Sequence, residues 1–360
     1  MECSRDIWPD NEEYLRDFNR KVAAQRVPLN GNFDLTHRCN LRCTHCYLAG
    51  PSPDRKNSGR ELDTRQWRAV IDEITEAGCL YLLLTGGEPL LREDFADIYC
   101  YARTSGLLVT VFTNGTLISP DILELFREFP PRAVEITLYG ATARTYETVT
   151  GVKGSYQRCL EGIRGLKDHG INVRLKTILM GLNRHEFHAI EEMAREWGLK
   201  FRFDAALFPR LNGDPSPIDL RVPPQEAVEK EFSDRDRFRQ YRDFFERFKD
   251  VPLTDSLYQC GAGRTHFHID PYGNLQPCLM VRNLSYNLGG GSFLTGWNEV
   301  MPRLRDVKPG TAYRCNQCQK RSLCGFCPGF FKLENDAEDL PSGYLCEMGQ
   351  LRFAKINEVI

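Results

Sequence analysis

Residues 79–90 read CLYLLLTGGEPL, an apolar run of strand length closed by two glycines, a glutamate and a proline. A short continuous apolar run bounded by turn residues reads as a buried strand. Working outward, amphipathic stretches with helical spacing lie on both sides: TRQWRAVIDEITEAG at 64–78 and REDFADIYCYARTSG at 92–106. The alternation continues with strands LLVTVFTNG from Leu107, AVEITLYG from Ala133, INVRLKTILM from Ile171 and LKFRFDAALF from Leu199. Between them run SPDILELFREF, SYQRCLEGIRGLKDHG and NRHEFHAIEEMAREWG, several closed by glycine. With GNFDLTH (residues 31–37) as the first strand, six strand–helix units imply a parallel sheet with right-handed crossovers. The fold class expected is α/β, a partial (β/α)6 TIM-like barrel, since a closed barrel takes eight units.

The pattern stops near Pro209. FPRLNGDPSP reads as a linker, and PPQEAVEKEFSDRDRFRQYRDFFERFKD as a charged, solvated bridging helix. From Asp255 onward the chain is turn-rich and cysteine-rich, a segment expected to need bound metal to hold its fold. The expected division is a short N-terminal segment 1–30, a core domain 31–208, a linker and bridging helix 209–254, a cysteine-rich domain 255–349 and a tail 350–360. The formal net charge of −2 gives no reason to expect nucleic acid or anionic lipid as a partner. No apolar run approaches the ~20 residues that span a bilayer. The charged N-terminus lacks a signal-peptide core, so the expected location is cytoplasmic.

Fourteen cysteines in a reducing compartment argue for metal ligands rather than disulfides. Cys3, Cys79, Cys100 and Cys159 are scattered and read as small core residues. Three others crowd into HRCNLRCTHCYLAG at 37–50: Cys39, Cys43 and Cys46. A structural zinc site or an ordinary iron–sulfur cluster wants four protein ligands. One reading completes a zinc site with His37 or His45. The other leaves one iron of a 4Fe–4S cluster open, and an open metal position is where a substrate or cofactor binds. GGEP at the carboxyl end of the next strand favours the second, because ligands of parallel α/β sheets gather at that edge. Paired glycines allow close backbone approach, and Glu88 offers an acceptor for an ammonium group.

C-x3-C-x2-C followed by GGEP resembles the radical S-adenosylmethionine (SAM) enzymes, over about residues 31–208. The resemblance implies that SAM chelates the open iron and is cleaved to methionine and a 5′-deoxyadenosyl radical, which abstracts a hydrogen atom. It also implies SAM contacts at Gly86, Gly87 and Glu88 for the amino group, and at Thr137 and Arg158 for the carboxylate. Tyr47 falls near adenine and Asn114 near ribose. Tyr139 replaces an aspartate common in the family.

The C-terminal cysteines are Cys260, Cys278, Cys315, Cys318, Cys324, Cys327 and Cys346. Paired C-x2-C spacing is also a zinc-ribbon signature, but seven thiols do not make two sites of four. Their order resembles the SPASM extension, which carries two auxiliary 4Fe–4S clusters. The resemblance implies one cluster on Cys315, Cys318, Cys324 and Cys346 and another on Cys260, Cys278 and Cys327. The second would be completed by His266, His268, substrate or nothing; His266 and His268 also read as alternating strand residues.

The function implied is modification of a ribosomally made peptide, with an external flavodoxin- or ferredoxin-like electron donor. About thirty residues before the first strand are too few for a leader-binding fold, so a separate small leader-peptide-binding protein is expected. The alternatives are a radical SAM oxidase of a small molecule or tetrapyrrole side chain, a non-catalytic iron–sulfur carrier, and a zinc-bound interaction module.

Overall fold

The computed structural model describes residues 11–48, 61–249 and 255–358. Helix α1 (Asn11–Ala24) leads into strand β1 (Asn30–Thr36). There follow α2 (Thr64–Glu76), β2 (Tyr81–Gly86), α3 (Phe95–Thr104), β3 (Leu108–Thr113), α4 (Pro120–Glu128) and β4 (Ala133–Thr137). Then come α5 (Ala143–Thr150), α6 (Ser155–Asp168), β5 (Val173–Ile178), α7 (Phe187–Glu196) and β6 (Lys200–Asp204). The order of neighbours from β6 to β1 is consecutive and every pair is parallel, so the six expected strands form an open barrel wall. Local signals explain the starts. Asp63 and Gln66 form a reciprocal capping box on α2, and Ser119 followed by Pro120 caps α4.

Period-2 alternation sorts the side chains. Leu82 and Leu84, Val109 and Val111, and Val134 and Ile136 face the helices, packing with Trp67, Ile71, Tyr99, Phe126 and Ile163. Each such side chain contributes about 1.5–3 kcal/mol of burial. The alternate positions Asn32, Leu83, Thr85, Phe112, Thr137 and Lys176 line the inside of the wall.

The cysteine-rich part does not stand apart from this sheet. Strand β7 (His266–Ile269) pairs parallel to β1 on its free side, and β8 (Asn274–Gln276) and β9 (Tyr286–Asn287) continue antiparallel. Gly273 turns the β7–β8 hairpin with φ of 79°.

Two expectations need correction. The charged stretch after the linker is two helices, α8 (Pro224–Phe232) and α9 (Arg235–Phe248), and is not a solvated bridge. Ala227 and Val228 are buried against Leu179, Phe187, Ala205 and Met348, because apolar positions hidden among the charges fall on one helical face. The boundary expected at residue 349/350 falls inside a helix. After the single turn α10 (Phe293–Thr295) and α11 (Pro328–Asn335), α12 runs Gly343–Asn357. Its contact with α8 is fixed by a forked pair, Arg352 donating to both Glu231 oxygens at 2.6 and 2.7 Å, with Arg352 Nη1 also donating to Leu323 O at 2.6 Å. Both side chains are nearly inaccessible, 11% and 5%. Removing one partner leaves an uncompensated buried charge. Arg352→Met should therefore lower unfolding stability by about 3–5 kcal/mol in urea titration; a loss below about 1 kcal/mol, the surface-pair range, would contradict this account.

Candidate active site

The loop after β1 brings Cys39, Cys43 and Cys46 to the carboxyl end of the sheet, where they stand in the wall of a cavity of about 670 Å³. Its course is held by backbone contacts from distant elements. Arg42 and Thr44 N–H donate to Thr150 and Val149 carbonyls at 2.8 and 3.0 Å. Arg210 donates to the carbonyls of Cys46, Thr44 and Leu48 at 2.7, 3.2 and 3.3 Å. Sequence reading placed Arg210 in a linker; an arginine whose partners are carbonyls more than 160 residues away leaves no local pattern.

Gly86 and Gly87 line the cavity, but their backs explain why they are glycines. A Cβ on Gly86 would lie 2.3 Å from Thr36 O, and one on Gly87 2.3 Å from Arg38 O. Gly86 also has φ of 126°, a conformation that side chains resist. The close approach is to the start of the cysteine loop: Gly87 N–H donates to Thr36 O at 2.7 Å and Glu88 N–H to Arg38 O at 2.9 Å.

Glu88 is fully buried behind the cavity wall. Its carboxylate accepts from Thr113 Oγ1 at 2.7 Å, Asn114 N–H at 2.8 Å and Leu90 N–H at 3.1 Å. Burial pushes it up to about 7 despite these donors. Asn114 lines the cavity, and its amide donates to Asn40 Oδ1 at 2.8 Å and lies 3.9 Å from Cys39 Sγ, so it supports the loop as well. Tyr47 and Thr137 also line the cavity. Arg158 does not. It sits on the exposed face of α6, whose buried face takes Cys159 and Leu160, and the expected reach to a ligand carboxylate is not met by this geometry.

His37 and His45 line the same cavity as the three thiols. His45 packs edge-on against Tyr139 at 4.8 Å, and burial lowers it to about 4. His37 Nε2 and His268 Nε2 lie 3.5 and 3.6 Å from Asp34 Oδ2. Burial disfavours a charged Asp34, yet His268, His37 and Arg282 outweigh it and hold that carboxyl below its usual range. His268 on β7 is thus engaged with β1, and His266 is lowered to about 4 by burial and then by His268. They are alternate residues of one strand, β7.

The seven C-terminal cysteines separate into two electrostatic neighbourhoods. Cys278 is influenced by Cys327 and Cys260, and Cys327 by Cys260. Cys315 is influenced by Cys346 and Cys318, and Cys324 by Cys346, Cys315 and Cys318. Gly349 lets α12 reach the second set, since a Cβ there would lie 2.6 Å from Cys324 Cβ. Among the described residues no three His, Cys, Asp or Glu side chains are gathered at the spacing of a single metal ion. Thiolates around a four-iron cube stand further apart, because each binds a different corner. Three thiols in the cavity wall, with no fourth among its described lining residues, suit a cube with one open corner. Cys79 and Cys159 are buried and Cys100 half-buried, as core residues; Cys3 lies outside the described residues.

Residues 33–196 match the model of the radical SAM superfamily. A relative from Bacillus subtilis, the antilisterial bacteriocin subtilosin biosynthesis protein AlbA, is 30% identical over 85% of this chain and 67% of its own. The chain belongs to the radical SAM superfamily. It is an enzyme of that class, for which SAM and a 4Fe–4S cluster are the implied cofactors. The AdoMet-dependent heme synthase of Methanosarcina barkeri is 28% identical over 85% of this chain and 93% of its own. The crystal structure of Streptococcus suis SuiB bound to precursor peptide SuiA shares the fold, with TM-score 0.71 at 17% identity, over 95% of this chain and 84% of that one. The match takes in the cysteine-rich C-terminal part as well as the barrel. Among the described residues no helix is long and apolar enough to cross a membrane.

Two predictions follow from the packing of this enzyme's thiols. Gly86→Ala should displace the cysteine loop, so that iron bound per reconstituted chain falls by about four, one cluster's worth, while far-ultraviolet circular dichroism is retained; undiminished iron would show the approach is not required. Burial raises Cys39 to about 11 and Cys278 and Cys324 to about 12, against 9.0 for an unburied thiol. The unfolded chain therefore gives up these protons first. Their contribution to metal-free stability is full below about pH 9 and is lost as pH rises through about 11 to 12. The urea midpoint of metal-free protein should fall above pH 9, and a rise there would contradict the burial of these thiols.

Proposed function

We propose that this radical SAM enzyme acts on a peptide, abstracting a hydrogen atom and so crosslinking, epimerising or excising part of it. The observation that carries the reading is the cavity itself. Its wall holds Cys39, Cys43 and Cys46 on one side and, on another, Leu279, the residue after Cys278. A substrate in this space touches the first cysteine loop and the flank of the C-terminal cysteines together. That suits an oxidation in which a hydrogen atom leaves one way and an electron another. When bound, SAM and the clusters supply a hydrogen-abstracting radical and a path for one electron.

The chain's own residues do the holding. Cys39, Cys43 and Cys46 take three irons of the first cluster. Gly86 and Gly87 offer backbone to the SAM amino group, Thr137 a hydroxyl to its carboxylate, Tyr47 an aromatic face and Asn114 a cavity-facing amide. Glu88 acts from behind by fixing Asn114. Cys315, Cys318, Cys324 and Cys346 supply a complete thiolate set for one auxiliary cluster, and Cys260, Cys278 and Cys327 an open set for the other. An external flavodoxin- or ferredoxin-like protein is the electron donor. A peptide is supported by the bacteriocin biosynthesis relative and by the fold shared with a peptide-bound structure. A tetrapyrrole side chain is the second reading, supported by the heme synthase relative of nearly equal length.

Oxygen-free purification and reconstitution should give about twelve irons per chain, three four-iron clusters, and release 5′-deoxyadenosine from SAM on reduction. About eight irons with cleavage retained would leave the Cys260, Cys278 and Cys327 set empty. Zinc in place of iron, with no cleavage, would sink the reading.

A further inference from the structure

The inner face of β5 carries Arg174, Lys176 and Ile178 on alternate residues, and Lys176 and Ile178 stand in the cavity wall. The acid nearest this face, Glu135, is held by Arg202, which donates to it at 2.6 and 3.2 Å. Lys176 has no ion pair or hydrogen bond among the described residues. Its ammonium lies 3.2 Å from the centre of the Phe112 ring, and burial, with Arg202 nearby, lowers it to about 7. Below it, Arg174 Nε is buried without a hydrogen-bond partner. Asp204, exposed at the rim, accepts from Ala206 N–H and makes no pair with Lys176.

An ammonium stripped of water over an aromatic ring, with its nearest acid Glu135 already paired to Arg202 and only partly offsetting the loss, is short of the anion that would compensate its desolvation. The depth of the site says where that anion comes from. Lys176 pairs in register with Thr137, the last residue of β4, but its ammonium reaches back over Phe112, which is level with Glu135. It therefore points two residues below the sheet edge, away from the cysteine loop. An unpaired lysine over the apolar ring of Phe112, with the Arg174 guanidinium below it, suits a planar group of negative charge.

We propose that Lys176 anchors the substrate by pairing with its carboxylate, the side chain of an acidic peptide residue or a propionate of a tetrapyrrole. This rests on the cavity being the reaction chamber, and it holds for either substrate class.

The test uses the reconstituted full chain with SAM bound and two matched pairs of probes. One pair is N-acetyl-Ala-Glu-Ala amide and its glutamine counterpart; the other is coproporphyrin III and its tetramethyl ester. Titration calorimetry should show one carboxylate probe binding at least about tenfold tighter than its neutral partner, a modest effect for a desolvated charge pair. Lys176→Met should remove that preference and Lys176→Arg retain part of it, while the SAM dissociation constant moves by less than about twofold. Preference in the porphyrin pair alone would keep the Lys176 assignment and defeat the peptide reading. The assignment itself fails if neither carboxylate probe is preferred, or if Lys176→Met weakens SAM instead.

Discussion

Two backbone hydrogen bonds join the turn after β2 to the loop after β1: Gly87 N–H to Thr36 O and Glu88 N–H to Arg38 O. Everything at the carboxyl edge of the sheet is arranged around that contact. It requires glycine at 86 and 87, because any side chain would occupy the space of the Thr36 and Arg38 carbonyls. It also aims Glu88 inward, where its carboxylate gathers Thr113 and Asn114 from the end of β3. Asn114 then reaches Asn40 and Cys39. The ends of three adjacent strands are thus locked to the thiol-bearing loop before any cofactor is considered. A site that must hold a reactive group needs such support from rigid elements, since small displacements cost large factors in rate.

The same economy explains the buried charges. Asp34, His37 and His268 face one another across β1 and β7, and several of their polar atoms have no hydrogen-bond partner in the protein. Buried polar groups of this kind are ordinarily satisfied by ordered water or by a bound molecule. On β5 the inner wall presents Lys176 and Arg174, with Glu135 held by Arg202 and Asp204 at the rim. The interior is polar where it faces the cavity and apolar where it faces the helices, and one period-2 alternation produces both.

The strands were legible because each is a short apolar run between turn residues, and the helices because their apolar spacing is 3.6. All six barrel strands and their order could be read that way. That the cysteines are grouped was legible from spacing, whereas their division into two sets came from the resemblance to a known extension. What could not be read depends on contacts between distant segments. Arg210 clamps the cysteine loop from a stretch whose composition says linker. β7 and α12 join the barrel through partners more than a hundred residues away, so a segment with little periodicity of its own gains a core from its neighbours. Arg158 shows the opposite failure: its position suggested a ligand contact, but helix phase turns it outward. Lys176 escaped notice because a lysine in a strand carries no signal until its neighbours are known.

β1 is the interior strand on which β2 and β7 both pair, yet those partners lie about fifty and more than two hundred residues downstream in the chain. At ribosomal speeds of 5–20 residues per second, the β1 edge waits about 10–50 s between its own emergence and that of β7. For that interval a strand with Phe33 and Leu35 on one face has an unpaired edge, the kind that other chains adopt. The join that unites the thiol loop with the C-terminal cysteines in the finished enzyme is thus also the point at which a growing chain is most open to misassembly.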